Sequence, residues 1–194
     1  MKKLNTLKIA IIGIGIALNI VGAFIALNLR LPIYLDSLGT IMVSFLLGPF
    51  YGVITGLLGS ITSGITFDIY SLYFAPVQIF TGFLFGVLFK KNIFKGKNLF
   101  LGVFIGTIFV SFIGAVITAF VFGGFTSSGS SYILIILKNL GVNPVLSAFI
   151  VQFVTDYCDK LVATILMIKV VNLVPNSIKQ KLYDNNLNHN HIKA

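Results

Sequence analysis

Acidic residues are scarce. The 194-residue chain has no glutamate, and its five acidic residues are all aspartate, against 14 lysines and arginines. Charged residues of both signs make up 10% of the sequence, where a soluble domain carries about 25%. That is too little polar surface to coat a globule in water. Tryptophan is missing, and a single cysteine, Cys158, excludes an intramolecular disulfide; it reads as a small apolar filler. The only histidines, His189 and His191, lie in a polar C-terminal tail, which argues against a metal site.

Catalytic signatures are missing too. No Gly-rich loop runs into Lys-Ser/Thr, so the chain itself is not expected to hydrolyse ATP, and there is no Gly-x-Ser-x-Gly elbow and no HExxH pair. An intramembrane aspartyl protease would need two aspartates such as Asp36 and Asp156, but no flanking signature of that chemistry accompanies them. The chain therefore reads as a non-enzyme that needs no cofactor.

What is present is apolar. Hydrophobic residues make up 57% of the chain and the mean hydropathy is +1.00. Long apolar runs broken by short polar knots are the pattern of a helical bundle in lipid. The net charge of +9 is organised by position. Lys2, Lys3 and Lys8 flank the first run, Lys90, Lys91, Lys95 and Lys97 share one short loop, and Lys169, Lys179, Lys181 and Lys193 mark the C-terminal end. This is the positive-inside bias, not a nucleic-acid surface.

The predicted fold is an all-α integral membrane protein of the cytoplasmic membrane. It has six transmembrane helices and both termini in the cytoplasm, with a membrane domain over 1–175 and a loose polar tail over 176–194. The spans are expected near 7–29, 35–47, 50–66, 76–89 and 98–122, with the last ending near Pro175. The first run is too long for a signal-peptide core and reads as a permanent span. Gly48-Pro49 is a tight inner turn, and 67–74 reads as an outer loop. Residues 132–140 suit a surface or re-entrant helix, and 143–174 a short helix or one long tilted one leading into span six.

Two patterns suggest function. Small residues let helices approach closely in lipid. The first span has two such faces, Ala10, Gly13 and Ala17 on one and Gly15, Gly22 and Ala26 on the other. A bundle needs one; the other suits a partner protein. In spans three to five, Gly52, Gly56, Gly59, Gly82, Gly86, Gly102 and Gly106 suit packing within the bundle. The second pattern is charge within membrane depth. Gln152, Asp156, Asp159 and Lys160 are spaced to share one helical face. Such groups either close on one another and fix helix register or face a wet cavity. Asn28, Arg30, Tyr34, Asp36, Tyr73, Gln78 and Asn143 fall on the same outer side, with Tyr34, Tyr70, Tyr73 and Phe74 as candidate lid residues. An apolar pocket with a few polar anchors is the usual form of a small-molecule site.

Four segments carry a family resemblance: Ile16-Ala17-Leu18-Asn19, then Leu31-Pro32-Ile33-Tyr34-Leu35-Asp36-Ser37-Leu38-Gly39-Thr40, then Leu47-Gly48-Pro49-Phe50-Tyr51-Gly52, and Asp156-Tyr157-Cys158-Asp159-Lys160. With these, the chain resembles the substrate-binding S component of an energy-coupling factor (ECF) transporter. The resemblance implies six helices and a vitamin or similar micronutrient bound from outside, in the outer half under the first and third outer loops. The substrate-binding candidates are then Asn28, Arg30, Tyr34, Asp36, Tyr73, Gln78, Gln152, Asp156, Asp159 and Lys160. It also implies partners: membrane lipid, a coupling transmembrane subunit and two ATPases. The family's docking motif, usually Ala-x-x-x-Ala on the first helix, is matched by Gly13-x-x-x-Ala17, with Ala10 on the same face. The bundle would then topple in the membrane to deliver its substrate. A membrane sensor without transport activity and a lone channel or exporter are the competing readings; neither requires an ATPase module.

Overall fold

In the computed structural model, residues 6–123, 130–141 and 143–184 are described. The tail histidines, Lys2, Lys3, Lys193 and most of the expected Gly/Ser/Thr outer loop fall outside them. Among the described residues every regular element is a helix.

α1 (Thr6–Asn28) is apolar throughout except at a few positions, and at 1.5 Å per residue it is about 35 Å long. It ends where Arg30 adopts a left-handed backbone (φ 51°), so that Arg30 N–H reaches the Leu27 carbonyl and Leu31 N–H the Ala26 carbonyl. That is a Schellman close with arginine in the place usually taken by glycine. α2 (Leu38–Leu47) has ten residues, of which Gly39 to Leu46 are all buried. Gly48, at φ 102°, then turns the chain where a side chain would be strained, and Pro49 opens α3 (Pro49–Thr66). Asp68 caps the short α4 (Ile69–Tyr73), accepting from Tyr70 N–H at 3.3 Å. α5 (Ala75–Lys90) ends in a second Schellman close on Asn92, and α6 (Asn98–Val121) follows. α7 (Ser130–Asn139), α8 (Pro144–Leu173) and α9 (Asn176–Asp184) complete the chain.

The structure differs from the sequence-based expectations in four places. The second apolar run becomes helical only at Leu38, because Leu35 is held left-handed (φ 52°) and its N–H is taken by a side chain of α8. The segment 67–74, expected to be a loop, contains α4. The stretch after Asn143 is one continuous helix of 30 residues, about 45 Å long, which settles between the two expectations for it. The tail does not begin loose: Ile178 and Leu182, four apart, give α9 an inward stripe, and Leu182 is buried.

Polarity is arranged in reverse of a soluble protein. Phe100, Phe104, Phe109, Phe112 and Phe120 point outward, while Asn19, Thr40, Gln78, Ser111, Asp156, Asp159 and Lys160 are buried. Such a surface is suited to hydrocarbon. α1 and α6 are each long and apolar enough to cross a membrane, and α8 with α9, bent by 99° between them, makes a third candidate; α2 and α5 are apolar but shorter.

Glycines set the helix spacing. A Cβ on Gly39 would overlap the Gly15 backbone, and one on Gly82 would lie within 2.7 Å of the Val53 nitrogen. Gly86 abuts Pro49 in the same way. α3 thus packs on α2 and α5, and α6 packs on α8. α1 shows its two small faces differently. Gly15 and Gly22 lie against α2 and the 29–37 loop, whereas a Cβ on Gly13 would meet nothing within 4 Å and Ala10 and Ala17 are exposed. Cys158 is exposed on α8, so it does not fill the core as its size suggested.

Asn19 joins three helices. Its Oδ1 accepts from Gly39 N–H at 2.7 Å and Thr40 N–H at 3.1 Å, supplying from α1 the cap that Ser37 does not provide. Its Nδ2 donates to Thr40 Oγ1 at 2.7 Å, and Thr40 in turn donates to Gln78 Oε1 on α5 at 3.1 Å. Asn19→Ala is therefore expected to leave two buried amides unpartnered and cost about 1–3 kcal/mol for each. Thermal unfolding in detergent checks this; an unchanged unfolding temperature would show that the cap is dispensable.

Candidate functional site

The loop over 29–37 folds back over the bundle because α8 gives its backbone what water would otherwise supply. Asp159 is fully buried. Its Oδ1 accepts from Leu35 N–H at 2.7 Å, and its Oδ2 from Ser37 Oγ at 3.1 Å and from Lys160 Nζ at 2.8 Å. A buried carboxylate needs such partners. Lys160 Nζ also lies 4.0 Å from Asp156 Oδ1, and Asp156 Oδ2 accepts from Ser111 on α6 at 2.9 Å and from Gln152 at 3.1 Å. Gln152, Asp156, Asp159 and Lys160 therefore share one network, as their spacing on α8 predicts. Asp159 and Lys160 close on each other; Asp156 and Lys160 also face open space.

That space is a cavity between α1, the first loop, α4, α5 and α8. Ala23, Ala26, Leu27, Leu31, Ile33 and Val77 form its apolar walls, with Tyr34, Asp36, Asp68, Tyr70, Ser71, Phe74, Gln152, Asp156 and Lys160. Two lids meet over it. The Tyr34 hydroxyl of the first loop donates to Gln152 Oε1 at 3.3 Å. On the other side α4 is braced on the end of α6, with Phe122 at 4.6 Å from the Tyr70 ring and 5.2 Å from that of Tyr73. The cavity holds about 50 Å³, room for a water or two but below the several hundred Å³ of a typical small-molecule site. A larger ligand has to part Tyr34 from Gln152 or shift α4.

Five of the ten substrate-binding candidates line this cavity: Tyr34, Asp36, Gln152, Asp156 and Lys160. Asp159 supports it through Lys160. Gln78 is buried beside it and bonded to Thr40, with its Nε2 unpartnered. The other three lie elsewhere. Asn28 is exposed and turns its amide back to the Phe24 carbonyl, Arg30 is exposed at the helix close, and Tyr73 braces Phe122. Asn143 lies exposed at an apolar groove with Phe112 and Phe149. Asp68 and Ser71 line the cavity without having been singled out as binding residues. The signal that could have found them is the capping pattern of Asp68 followed by a short aromatic helix.

No group of three or more potential metal ligands occurs among the described residues. Cys158 is exposed and is not among the residues that line the cavity. The arrangement can enclose and orient a small molecule by hydrogen bonds, charge and aromatic contact.

Residues 7–174 match the model of a protein family described as the substrate-specific component of ECF transporters. No curated protein and no solved structure matches the chain.

Asp159→Ala is expected to leave Lys160 buried without its hydrogen-bonded counter-charge, with Asp156 at 4.0 Å and Asp36 remaining, and to release Leu35 and Ser37. A broken buried pair costs about 3–5 kcal/mol. The unfolding temperature in detergent should fall well below that of Asp159→Asn, which keeps an acceptor for Leu35; equal stability of Asp159→Ala and wild type would remove the proposed tie between loop and helix.

Proposed function

The chain belongs to the family of ECF transporter substrate-specific components, and from that premise we propose that it is the high-affinity binding subunit of an ATP-driven micronutrient importer. The cavity beneath Tyr34 and α4 carries this reading. It combines apolar walls with polar anchors from α8 and two lids that can part, as a subunit that captures a scarce small molecule requires. Tyr34, Asp36, Gln152, Asp156 and Lys160 are the binding residues of this proposal, joined by Asp68, Tyr70 and Phe74.

The chain is a multi-pass membrane protein in this family. The proposal adds that α1, α2, α3, α5, α6 and α8 are the six spans, that both ends are cytoplasmic, and that the membrane is the cell membrane. α2 is ten residues and about 15 Å long, so it would span only with local thinning or shielding by its neighbours. The subunit is non-catalytic, and ATP hydrolysis belongs to two partner ATPases.

Docking on the coupling subunit is assigned to Ala10, Gly13 and Ala17. The supporting observation is which face of α1 is free. Gly15, Gly22 and Ala26 are taken up inside the bundle, while a close-approach surface remains exposed around Gly13. Toppling of the bundle against that partner would carry the occupied cavity across the membrane.

The test is a mild-detergent pull-down of the tagged protein from its native membranes, with mass spectrometry of the recovered proteins. Two ATPases and a coupling subunit are expected, lost on Ala17→Trp and retained on Asp156→Asn, which alters the cavity and its α6–α8 network but not the exposed face of α1. Recovery of the protein alone contradicts the proposal, and recovery with a signalling protein favours a sensor.

A further inference from the structure

The charge around the cavity is unbalanced, and in the sense opposite to the chain. A protein of net charge +9 gathers Asp36, Asp68, Asp156 and Asp159, four of its five acidic residues, at one place. The single cation among the lining residues is Lys160. Its ammonium is already committed, bonded to Asp159 at 2.8 Å and lying 4.0 Å from Asp156. An anionic ligand would thus meet one shared ammonium and several carboxylates.

The carboxylates are not equivalent. Asp159 is used by Leu35, Ser37 and Lys160, and Asp156 by Ser111 and Gln152. Asp68 accepts from Tyr70 N–H and Ser71 Oγ, both at 3.3 Å. Asp36 differs: it lines the cavity, and its buried Oδ1 makes no well-formed hydrogen bond, the Gln78 amide being the donor close to this carboxyl. A buried acceptor so weakly partnered is costly, so a further donor is favoured there. Tyr34, Tyr70 and Phe74 add aromatic rings to the lining, a residue type that attracts cations. A metal ion fits poorly, because no three potential ligands converge among the described residues.

Resting on the reading of this cavity as the substrate site, we propose that the substrate is an organic cation, an amine, amidine or protonated nitrogen heterocycle, whose N–H group is held by Asp36 between the Tyr34 and Tyr70–Phe74 lids. Asp36 supplies selectivity for charge. Lys160 serves to hold Asp156 and Asp159 in place and does not receive an anionic group of the substrate.

Three probes of nearly one shape test this: benzamidinium, benzamide and benzoate, which are positive, neutral and negative. Each is titrated at equal millimolar concentrations into the purified full-length protein in detergent, and binding is read from the rise in unfolding temperature. Benzamidinium is expected to stabilise wild type most and benzoate least. Asp36→Asn, nearly unchanged in shape, is expected to weaken benzamidinium by roughly tenfold or more, the size of one charge-assisted hydrogen bond. The inference is overturned if benzoate or benzamide matches benzamidinium, if benzamidinium produces no shift, or if Asp36→Asn binds it as wild type does. The wild-type series decides the matter even if the variant fails to fold. Failure here is separable from failure of the transport reading. A pocket that prefers benzoate in a protein still recovered with two ATPases removes the charge inference alone, and a pocket selective for benzamidinium in a protein recovered without them does the reverse.

Discussion

A carboxylate sealed from water has to find its hydrogen bonds in protein, and Asp159 finds them in the loop between α1 and α2 and in Lys160. The consequences run from that loop into α2, α6 and α8. Taking the Leu35 N–H keeps that residue left-handed and delays α2 to Leu38. The pause allows Tyr34 to reach across to Gln152 and places Asp36 at the cavity wall. The same carboxylate holds the Lys160 ammonium, which bridges to Asp156 and through it to Ser111 on α6. A buried pair of this kind contributes little net stability compared with an apolar pair; what it adds here is register between α8, α6 and a loop that has no helix of its own.

The rest of the bundle relies on close approach. Membrane helices gain little from hiding apolar side chains from lipid, so packing and interhelical hydrogen bonds hold them together. Gly15 against Gly39 and Gly52 against Gly82 bring backbones nearly into contact, and that nearness is what lets Asn19 cap a neighbouring helix. On α1 the two small faces separate cleanly: the one with Gly15 and Gly22 is consumed in folding, and the one with Ala10, Gly13 and Ala17 stays outside. A cavity lined by polar anchors and a close-approach face along α1 are the two surfaces that the proposed binding subunit would use.

Much of this was legible in the residues. The apolar runs foretold helices for all six segments read as spans, Gly48-Pro49 its turn, and the spacing of Gln152, Asp156, Asp159 and Lys160 a common face, because helical period and turn chemistry are local properties. Places where a distant group competes with local preference were not legible. Leu35 belongs to an apolar run but is pinned by Asp159, 124 positions away. Arg30 stands where a helix close usually has glycine, so neither the left-handed close nor its outward side chain was signalled. Asn28 and Tyr73 have the chemistry of binding residues, yet one satisfies its own helix and the other braces Phe122.

By itself the sequence determined the solvent and the class of structure. With so few charges, clustered lysines and long apolar runs, no water-exposed globule could form, and the backbone had to satisfy itself in helices. It also determined which chemistry was available, since aspartate is the only acid and no nucleotide loop or histidine site exists in the body of the chain. Only the tertiary structure decided which aspartate is the least well bonded. Asp36, Asp156 and Asp159 are equivalent as letters; they differ because donors from the α1–α2 loop, α6 and α8 make well-formed hydrogen bonds to two of them, while the third has a buried oxygen with only the Gln78 amide close by.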